Sequence, residues 1–285
     1  MNRSIAIIKG RLYYDEFPFS ESIFIDLLSG FFPKVLKRKF CKKSGSDCKL
    51  CEFNKGCAYS YIFEPILIGD KSLVVSLPDV KVPFAFRWNF EKGDGKFFLT
   101  LFDGCMEYSY EIIQTLIEIG QVGLGYERMR FSIGGLKSVD YRYRELKDLR
   151  VDKGLMKNLD PFQIDNIKGV AADLPSLSMK LEFMSDVDLS RSQKKVKNED
   201  LFGILYRRIR DRMQALYVIY LDEELPIEMK GLSDKSRAVI MTSENKNCYE
   251  FKGKISFFRY LFLLGSYLNV GRRCAFGNGV YRIIF

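Results

Sequence analysis

An α+β fold of two similar halves is predicted by three features of this sequence. First, a helix-like apolar run, a glycine-rich turn and a strand-like segment occur in this order twice, near the middle and at the end of the chain. Second, 285 residues fit two domains better than one, because single domains cluster near about 100 to 150 residues. Third, 47% hydrophobic and 14% aromatic residues suffice for packed cores.

The first half begins with a strand and a helix. Residues 4–13 are rich in isoleucine and tyrosine, which favours a strand. Ser20 is typical of a residue that caps a helix start, and an apolar-rich run follows it. We predict that this helix ends at residue 32, because Pro33 lacks the amide hydrogen that a helix interior uses. Residues 34–60, basic and bearing cysteines, then form a small Cys-rich insertion.

A hairpin, a helix and a strand complete the first half. Gly93, Asp94 and Gly95 separate two runs rich in aromatic residues, which is typical of a hairpin. The predicted elements after the insertion are strands over 84–90 and 97–102, a helix over 106–119 and a strand over 129–133. The second half has predicted strands over 176–184, 237–242, 249–255 and 280–285 and helices over 200–220 and 257–268. Both halves therefore follow the order strand, helix, strand, strand, helix, strand of a ferredoxin-like, or RRM-like, domain.

The boundary between the two halves is predicted near residue 140. Residues 140–173 are charged and have no clear periodicity, which is typical of a linker with some decoration. The predicted architecture is thus α+β with tandem ferredoxin-like domains at 1–140 and 141–285. The first domain carries the Cys-rich insertion, and the second ends in the glycine-rich loop.

Charge and histidine content restrict the function. The net charge of +9 favours a polyanionic partner, although general solubility explains the same charge. The chain contains no histidine, so acid–base chemistry near neutral pH must use other side chains. No apolar run reaches the roughly 18 residues of a membrane span, and residues 1–9 lack a signal-peptide cleavage site. We therefore expect a soluble, cytoplasmic protein with no membrane partner.

Four of the seven cysteines lie in one short polar segment: Cys41, Cys48, Cys51 and Cys57. Four thiolates can close a tetrahedral zinc shell, and the neighbouring lysines would offset its negative charge. The segment has one Cys-x2-Cys pair where a zinc ribbon has two, so a degenerate or empty site is the alternative. The sequence predicts structural zinc at these four cysteines.

Glycine-rich turns and basic clusters are the other candidate binding residues. In both copies the glycines follow a helix and precede a strand, the reverse of a dinucleotide-binding turn. Such turns let backbone amides approach phosphate, but a connection that needs positive φ also explains the glycines. A solvated face is the ordinary interpretation of a single basic run. The candidates for a polyanionic ligand are Arg191, Lys194, Lys195, Lys197, Arg208, Arg212, Gly271, Arg272, Arg273, Gly277 and Gly279.

Three motifs spread over nearly the whole chain carry a resemblance to a known family. They are Cys48-Lys-Leu-Cys51 with the segment from Cys57 to Tyr61-Ile-Phe63-Glu64-Pro65, the turn Gly120-Gln-Val-Gly123-Leu-Gly125, and the terminal Gly271-Arg272-Arg273-Cys-Ala-Phe276-Gly277-Asn-Gly279-Val-Tyr-Arg-Ile. With these motifs the sequence resembles the CRISPR-associated endoribonucleases that cut precursor CRISPR RNA within its repeats, members of the RAMP superfamily (Cas-six type). The terminal loop is the hallmark of that superfamily.

The resemblance implies a ligand and a reaction. The ligand is CRISPR repeat RNA, bound by the polyanion candidates named above. In the implied reaction a ribose 2′-hydroxyl attacks the adjacent phosphate and leaves a 2′,3′-cyclic phosphate and a 5′-hydroxyl, with no cofactor for catalysis. Many relatives place a histidine near the first helix, and this chain has none. The candidate catalytic residues are therefore Lys37, Arg38 and Tyr14, chosen for their location near that helix.

Two other functions are weighed against this endoribonuclease. The missing histidine favours a non-catalytic subunit that holds repeat RNA for a CRISPR effector complex. The cysteines alone suggest a zinc-stabilised scaffold with no role in nucleic-acid binding. The partners expected besides the RNA are an effector complex and a second copy of the chain.

Overall fold

The computed structural model of this chain describes residues 3–16, 19–43, 45, 47–65, 81–90, 94–175, 177–189, 201–227, 231–245 and 247–284. These residues form two successive groups of antiparallel strands and helices. Among them, no helix combines the length and the apolar character that crossing a membrane requires.

The first group forms one antiparallel sheet with helices on one face. Its strands are β1 (Ser4–Tyr13), β2 (Phe84–Asn89), β3 (Asp94–Phe102), β4 (Ser132–Val139) and β5 (Glu145–Asp148), and its helices are α1 (Glu21–Phe40), α2 (Ala58–Phe63) and α3 (Ser109–Val122). The strand order is β2-β3-β1-β4-β5. Along β1, Ile8 and Leu12 pack with apolar residues of α1 and α3, whereas Ile5 and Ile7 pack with the second group. The sheet therefore lies between a helical layer and the second half of the protein.

The segment between the two groups contains more regular structure than the sequence predicts. It forms β6 (Arg150–Asp152), β7 (Leu155–Lys157), β8 (Phe162–Gln163) and α4 (Ile164–Ala172). The strands β6 and β7 pair with each other, while β8 pairs with the start of β1. Since β5 and β8 both follow residue 140 and both join the first sheet, that sheet extends beyond the predicted boundary. The boundary itself stays a prediction.

The second group forms the second antiparallel sheet. Its strands are β9 (Ser178–Phe183), β10 (Ile240–Asn245), β11 (Cys248–Lys252) and β12 (Tyr281–Ile284), and its helices are α5 (Leu201–Leu216), α6 (Leu232–Arg237) and α7 (Arg259–Leu268). The strand order is β10-β11-β9-β12. The first four strands of the first sheet have the matching order β2-β3-β1-β4, with β5 added beside β4, so the predicted α+β fold with tandem ferredoxin-like domains is confirmed.

The helix α1 continues past Pro33 to Phe40, and the prediction that it ends at residue 32 was wrong. A proline inside a helix costs about 3 kcal/mol. The buried face of α1 continues beyond it with Val35 and Leu36, and each such side chain gains roughly 1.5–3 kcal/mol on burial. Tertiary packing thus offsets the proline, and residues 34–40 belong to α1 instead of the predicted insertion.

Two predicted strands were misplaced. The strand predicted over 129–133 begins at Ser132, because residues 124–129 close a tight loop in which Leu124 and Met129 exchange backbone hydrogen bonds. The strand predicted over 237–242 begins at Ile240, since Arg237 still belongs to α6. In the first case Met129 and Phe131 are buried although they precede the strand, so an apolar run alone misplaced its start.

The second domain is attached to the outer edge of β2. The Arg212 guanidinium on α5 donates to the carbonyl oxygens of Val82 and Phe84 at 3.3 and 3.0 Å. The Asn269 amide, which follows α7, donates to the Phe86 carbonyl at 2.7 Å. The three acceptors are alternate residues of one segment, Val82 just before β2 and Phe84 and Phe86 within it, and β2 ends its sheet. Side chains of one domain therefore satisfy carbonyls that an edge strand leaves unpaired.

Candidate nucleic-acid interface

The glycine-rich loop between α7 and β12 is held against the first domain. The Trp88 indole on β2 donates to the Phe276 carbonyl at 2.7 Å. The Phe276 ring packs against Phe32 of α1 and Phe84 of β2, with ring centroids 5.8 and 5.7 Å apart. The loop thus sits where the two domains meet, and both α1 and β2 fix its position.

The three glycines predicted to bind RNA, Gly271, Gly277 and Gly279, all have positive φ. At Gly279, a Cβ atom would lie 1.7 Å from the Val270 carbonyl oxygen. At Gly277, it would lie 2.5 Å from the Trp88 ring. These two positions exclude a side chain because the backbone folds tightly on itself and on β2. The glycines have a structural cause, and a role in RNA binding would come through the shape they allow.

Arg272 and Arg273 each face one carboxylate. The Arg272 guanidinium is 3.6 Å from the Asp188 carboxylate, and the Arg273 guanidinium is 2.5 Å from Asp26 on α1. The arginine side chains are 59% and 39% exposed. Ion pairs exposed to this degree contribute about 0–1 kcal/mol. A phosphate group can therefore replace either carboxylate at little cost.

The two glycine-rich turns converge on the first two turns of α1. A Cβ atom at Gly125 would lie 2.8 Å from Leu27, and one at Gly277 would lie 3.2 Å from Ile25. Between these contacts, Asp26 pairs with Arg273. We call this region the glycine-loop junction: residues 21–27 of α1 with the turns 120–125 and 271–279. One copy of the internal repeat thus approaches α1 from each domain.

Glu21 is the ionisable group at the junction that the sequence analysis missed. Burial, and then the charge of Asp186, raise its pKa from 4.5 to about 7. Asp186 belongs to the second domain, where its carbonyl oxygen accepts from the Gly279 amide at 2.7 Å. In sequence Glu21 shows only the pattern of a helix start. Its raised pKa depends on burial and on Asp186, which is distant in the chain, so the sequence does not predict it. A protein without histidine therefore has a group that titrates near neutral pH at its domain junction.

The substitution Glu21→Gln is expected to remove a pH dependence of stability. In the folded state Glu21 holds a proton that the unfolded chain releases between pH 4.5 and about 7, so this stability is present at low pH and is lost as pH rises through 7. After allowance for solvent screening, we expect the variant to be about 1–2 kcal/mol more stable than the wild type at pH 8 and equal to it near pH 4.5. Urea unfolding at several pH values measures this difference.

Glu16→Gln is the control for this experiment, since Glu16 is an exposed carboxylate just before the same helix. Its stability difference from the wild type should not change over this pH range. A difference for Glu21→Gln that is equally flat would contradict the assignment.

Lys37 lies on the same face of α1 as Asp26. Eleven residues separate them, which is three helical turns and about 17 Å. Between them on this face is Gly30, where a Cβ atom would have nothing within 4 Å. The Lys37 ammonium is 4.9 Å from the centre of the Tyr59 ring, and burial is the main cause that raises the pKa of Tyr59. Gly30 therefore leaves open space on the face of α1 that carries Asp26 and Lys37.

Arg38 and Tyr14 are placed differently from Lys37. Arg38 pairs with Glu118 on α3 at 2.6 Å. Tyr14 is 9% exposed and packs against Phe90, which also packs against Phe24. Since Phe24 and Lys37 are thirteen residues apart on α1, roughly 20 Å separates these two levels. The structure does not bring Tyr14 together with Lys37 and Arg38.

No metal site is recognised among the described residues of the cysteine segment. Cys41, Cys48, Cys51 and Cys57 are all free and half-buried. Across the described ranges, no group of three or more cysteine, aspartate or glutamate side chains has the arrangement that holds a metal ion. The structure therefore gives the predicted zinc no support.

The remaining predicted RNA contacts divide into three kinds. Arg191, Lys194, Lys195 and Lys197 lie outside the described residues. Arg208 donates to the Leu189 carbonyl at 2.8 and 3.1 Å, so it supports the segment that contacts the glycine-rich loop. Arg212 is 1% exposed and donates to three backbone carbonyls, so we leave it out of the RNA surface. Sequence alone could not distinguish these two arginines, because both lie on α5, one turn apart.

Comparison of the sequence with known protein families gives one partial match. A family model described as AF_1859_N, N-terminal domain, matches residues 26–158, which is just under half of the chain. No curated protein matches the sequence.

Solved structures of Cas6 proteins are similar over the whole chain. A Cas6 product complex has a TM-score of 0.54 and 12% identity, covering 98% of this chain and 100% of that one. Cas6 from Thermus thermophilus has a TM-score of 0.51 and 10% identity, with 100% of both chains covered. A Cas6 variant in which one histidine is replaced by alanine has a TM-score of 0.52 and 12% identity, covering 99% and 100%. The chain therefore has the Cas6 fold, which confirms the resemblance to the CRISPR-associated endoribonucleases at the level of the fold.

Proposed function

We propose that this protein binds CRISPR repeat RNA at the glycine-loop junction and cuts it without a metal ion. The single observation that carries the proposal is the convergence of both glycine-rich turns, with Arg272 and Arg273, on the first turns of α1. Backbone amides and guanidinium groups are the donors that hold phosphates. The Cas6 fold supports the choice of a CRISPR repeat as the RNA.

The proposed RNA path runs from Arg273 over Gly30 to Lys37. At Gly30 the helix has no side chain, so a sugar–phosphate backbone can pass close to α1. At Lys37 the ammonium supplies positive charge for the phosphate that the 2′-hydroxyl attacks. In-line positioning and charge stabilisation provide much of the acceleration in such a reaction. The product ends are then a 2′,3′-cyclic phosphate and a 5′-hydroxyl.

Replacing Arg272 and Arg273 together with alanine is expected to weaken binding of repeat RNA. If each arginine contacts one phosphate, the slope of log affinity against log salt falls by about 1 to 2. Filter binding of the host repeat at several salt concentrations measures both the affinity and the slope. Arg237→Ala is the control, because Arg237 is 74% exposed and pairs with Asp234 on α6. If the slope of log affinity against log salt is equal in the two variants, Arg272 and Arg273 do not contact the RNA phosphates.

Lys37→Met is expected to slow cleavage about 10²- to 10³-fold and to change RNA affinity only a few-fold. The measurement is incubation with repeat RNA in EDTA, followed by gel analysis and a test of the ends for a cyclic phosphate. A cut that survives the chelator in the wild type and disappears in the variant supports the proposal. Unchanged cleavage in Lys37→Met would exclude Lys37 as the catalytic charge.

The second candidate function is a subunit that holds repeat RNA without cutting it. It is favoured by the absence of histidine and by the distance of Tyr14 from Lys37. Tight, salt-dependent binding of wild-type protein without any cut would select this function. An effector complex that receives the guide RNA is then its proposed partner, and a second copy of the chain is a further one.

A further inference from the structure

An open cleft of about 590 Å³ lies beside the glycine-loop junction. It forms where β1 ends, α3 ends and β4 begins, because Tyr13 and Ser132 are paired across the sheet. Its lining residues are Tyr13, Tyr14, Asp15, Gly120, Gln121, Arg130, Phe131 and Ser132. Gly120 and Gln121 belong to the first glycine-rich turn, so the cleft is continuous with the proposed RNA surface.

The floor of the cleft is rigid and its walls are polar. Tyr14 and Phe131 are 9% and 5% exposed and form the apolar floor. The Phe131 amide donates to the Gly120 carbonyl at 3.1 Å, and a Cβ atom at Gly120 would lie 2.2 Å from the Phe131 carbonyl oxygen. This contact locks the end of α3 onto the start of β4. Arg130 and Ser132, the polar residues on either side of Phe131, are thus carried by fixed backbone.

The walls present one ring, one acid and one base. Tyr13 is 43% exposed, so the ring is available for stacking. The Asp15 carboxylate accepts hydrogen bonds only, whereas the Arg130 guanidinium donates only. Both are exposed. One acidic and one basic group give the lining no net charge, which suits a neutral base better than a phosphate.

We propose that this cleft binds an unpaired guanine of the RNA. Guanine offers two adjacent N–H donors on its Watson–Crick edge, which match a carboxylate such as Asp15. Its O6 and N7 acceptors match an arginine such as Arg130. The Tyr13 ring supplies the stacking partner that unpaired bases use. Adenine carries an amino donor in place of the O6 acceptor, and its N1 is an acceptor where guanine has an N–H donor. Asp15 and Arg130 together therefore distinguish the two purines.

The inference rests on the proposed function, because it names a base within the RNA bound at the same surface. It adds a specificity that the arginines of the glycine-loop junction cannot provide. Contacts to phosphate position an RNA, whereas contacts to base edges select its sequence.

The test compares labelled pentaribonucleotides by fluorescence anisotropy on the full-length protein. Each has four uridines and one central guanosine, inosine or adenosine. We expect guanosine to bind about tenfold more tightly than adenosine, with inosine between them because it lacks the amino group. Asp15→Asn should reduce the guanosine preference to twofold or less. Glu127→Gln, an exposed acidic residue on the adjacent turn, should leave it unchanged.

The outcomes separate this inference from the proposed function. Equal affinity for the three pentamers, or a guanosine preference that survives Asp15→Asn, overturns the guanine site. If full repeat RNA still binds in that case, the proposed function stands. Failure of repeat RNA to bind at low salt would overturn the proposed function itself.

Discussion

Gly279→Ala is expected to destabilise the protein by at least about 3 kcal/mol. The added Cβ atom would lie 1.7 Å from the Val270 carbonyl oxygen, and φ is +66°. The first effect forces the backbone to move, and the second costs about 1 kcal/mol by itself. The movement would also disturb the hydrogen bond from the Gly279 amide to Asp186. Denaturant unfolding measures the loss.

Gly56→Ala is the matched control for this substitution. Gly56 also has a positive φ, +87°, but a Cβ atom there would have nothing within 4 Å. The substitution Gly56→Ala should cost only about 1 kcal/mol, which is the cost of placing an alanine at a positive φ without a steric clash. Equal losses in the two variants would show that the close approach at Gly279 does not restrict the loop.

Arg212→Met is expected to cost about 3–5 kcal/mol, because it removes a buried network of hydrogen bonds to three carbonyls. The guanidinium donates to Leu268 at the end of α7 and to Val82 and Phe84 at the edge of β2. Methionine fills similar space and leaves these carbonyls without their donor, and each unsatisfied group costs roughly 1–3 kcal/mol. The substitution therefore weakens the attachment between the domains.

Arg210→Met on the same helix is the control, because Arg210 is 27% exposed and pairs with its neighbour Asp211. Its cost should be below about 1 kcal/mol. The protein has a single tryptophan, and Trp88 lies at the domain contact. Its fluorescence reports this contact during unfolding. If Arg212→Met unfolds at the same denaturant concentration as Arg210→Met, the hydrogen bonds of Arg212 do not stabilise the domain contact.

The long elements of the fold follow from local sequence patterns. The strand β1, the hairpin of β2 and β3, and the helices α3, α5 and α7 all lie close to their predicted positions, because strand-forming composition, turn residues and helical periodicity are local properties. Where the prediction failed at Pro33, packing against residues distant in the chain outweighed a local signal. Burial of Val35 and Leu36 stabilises α1 beyond its proline. The free energy of that burial cannot be read from a local sequence pattern.

The candidate site was predictable in part. The terminal glycines and Arg272 with Arg273 stand out in sequence, and both arginines lie at the domain junction. Arg208 and Arg212 looked equally available from their helical spacing, but the second is buried. Glu21 and Asp15 carry no distinctive motif, so the sequence had no signal for them.

The sequence by itself determined the α+β class, the repeated order of elements and the absence of histidine. These are properties of neighbouring residues and of composition. The tertiary structure alone decided that both glycine-rich turns meet α1, that Arg212 joins the domains and that Glu21 faces Asp186. The physical reason is that charge, burial and close approach depend on distances between residues far apart in the chain, and local periodicity does not contain those distances.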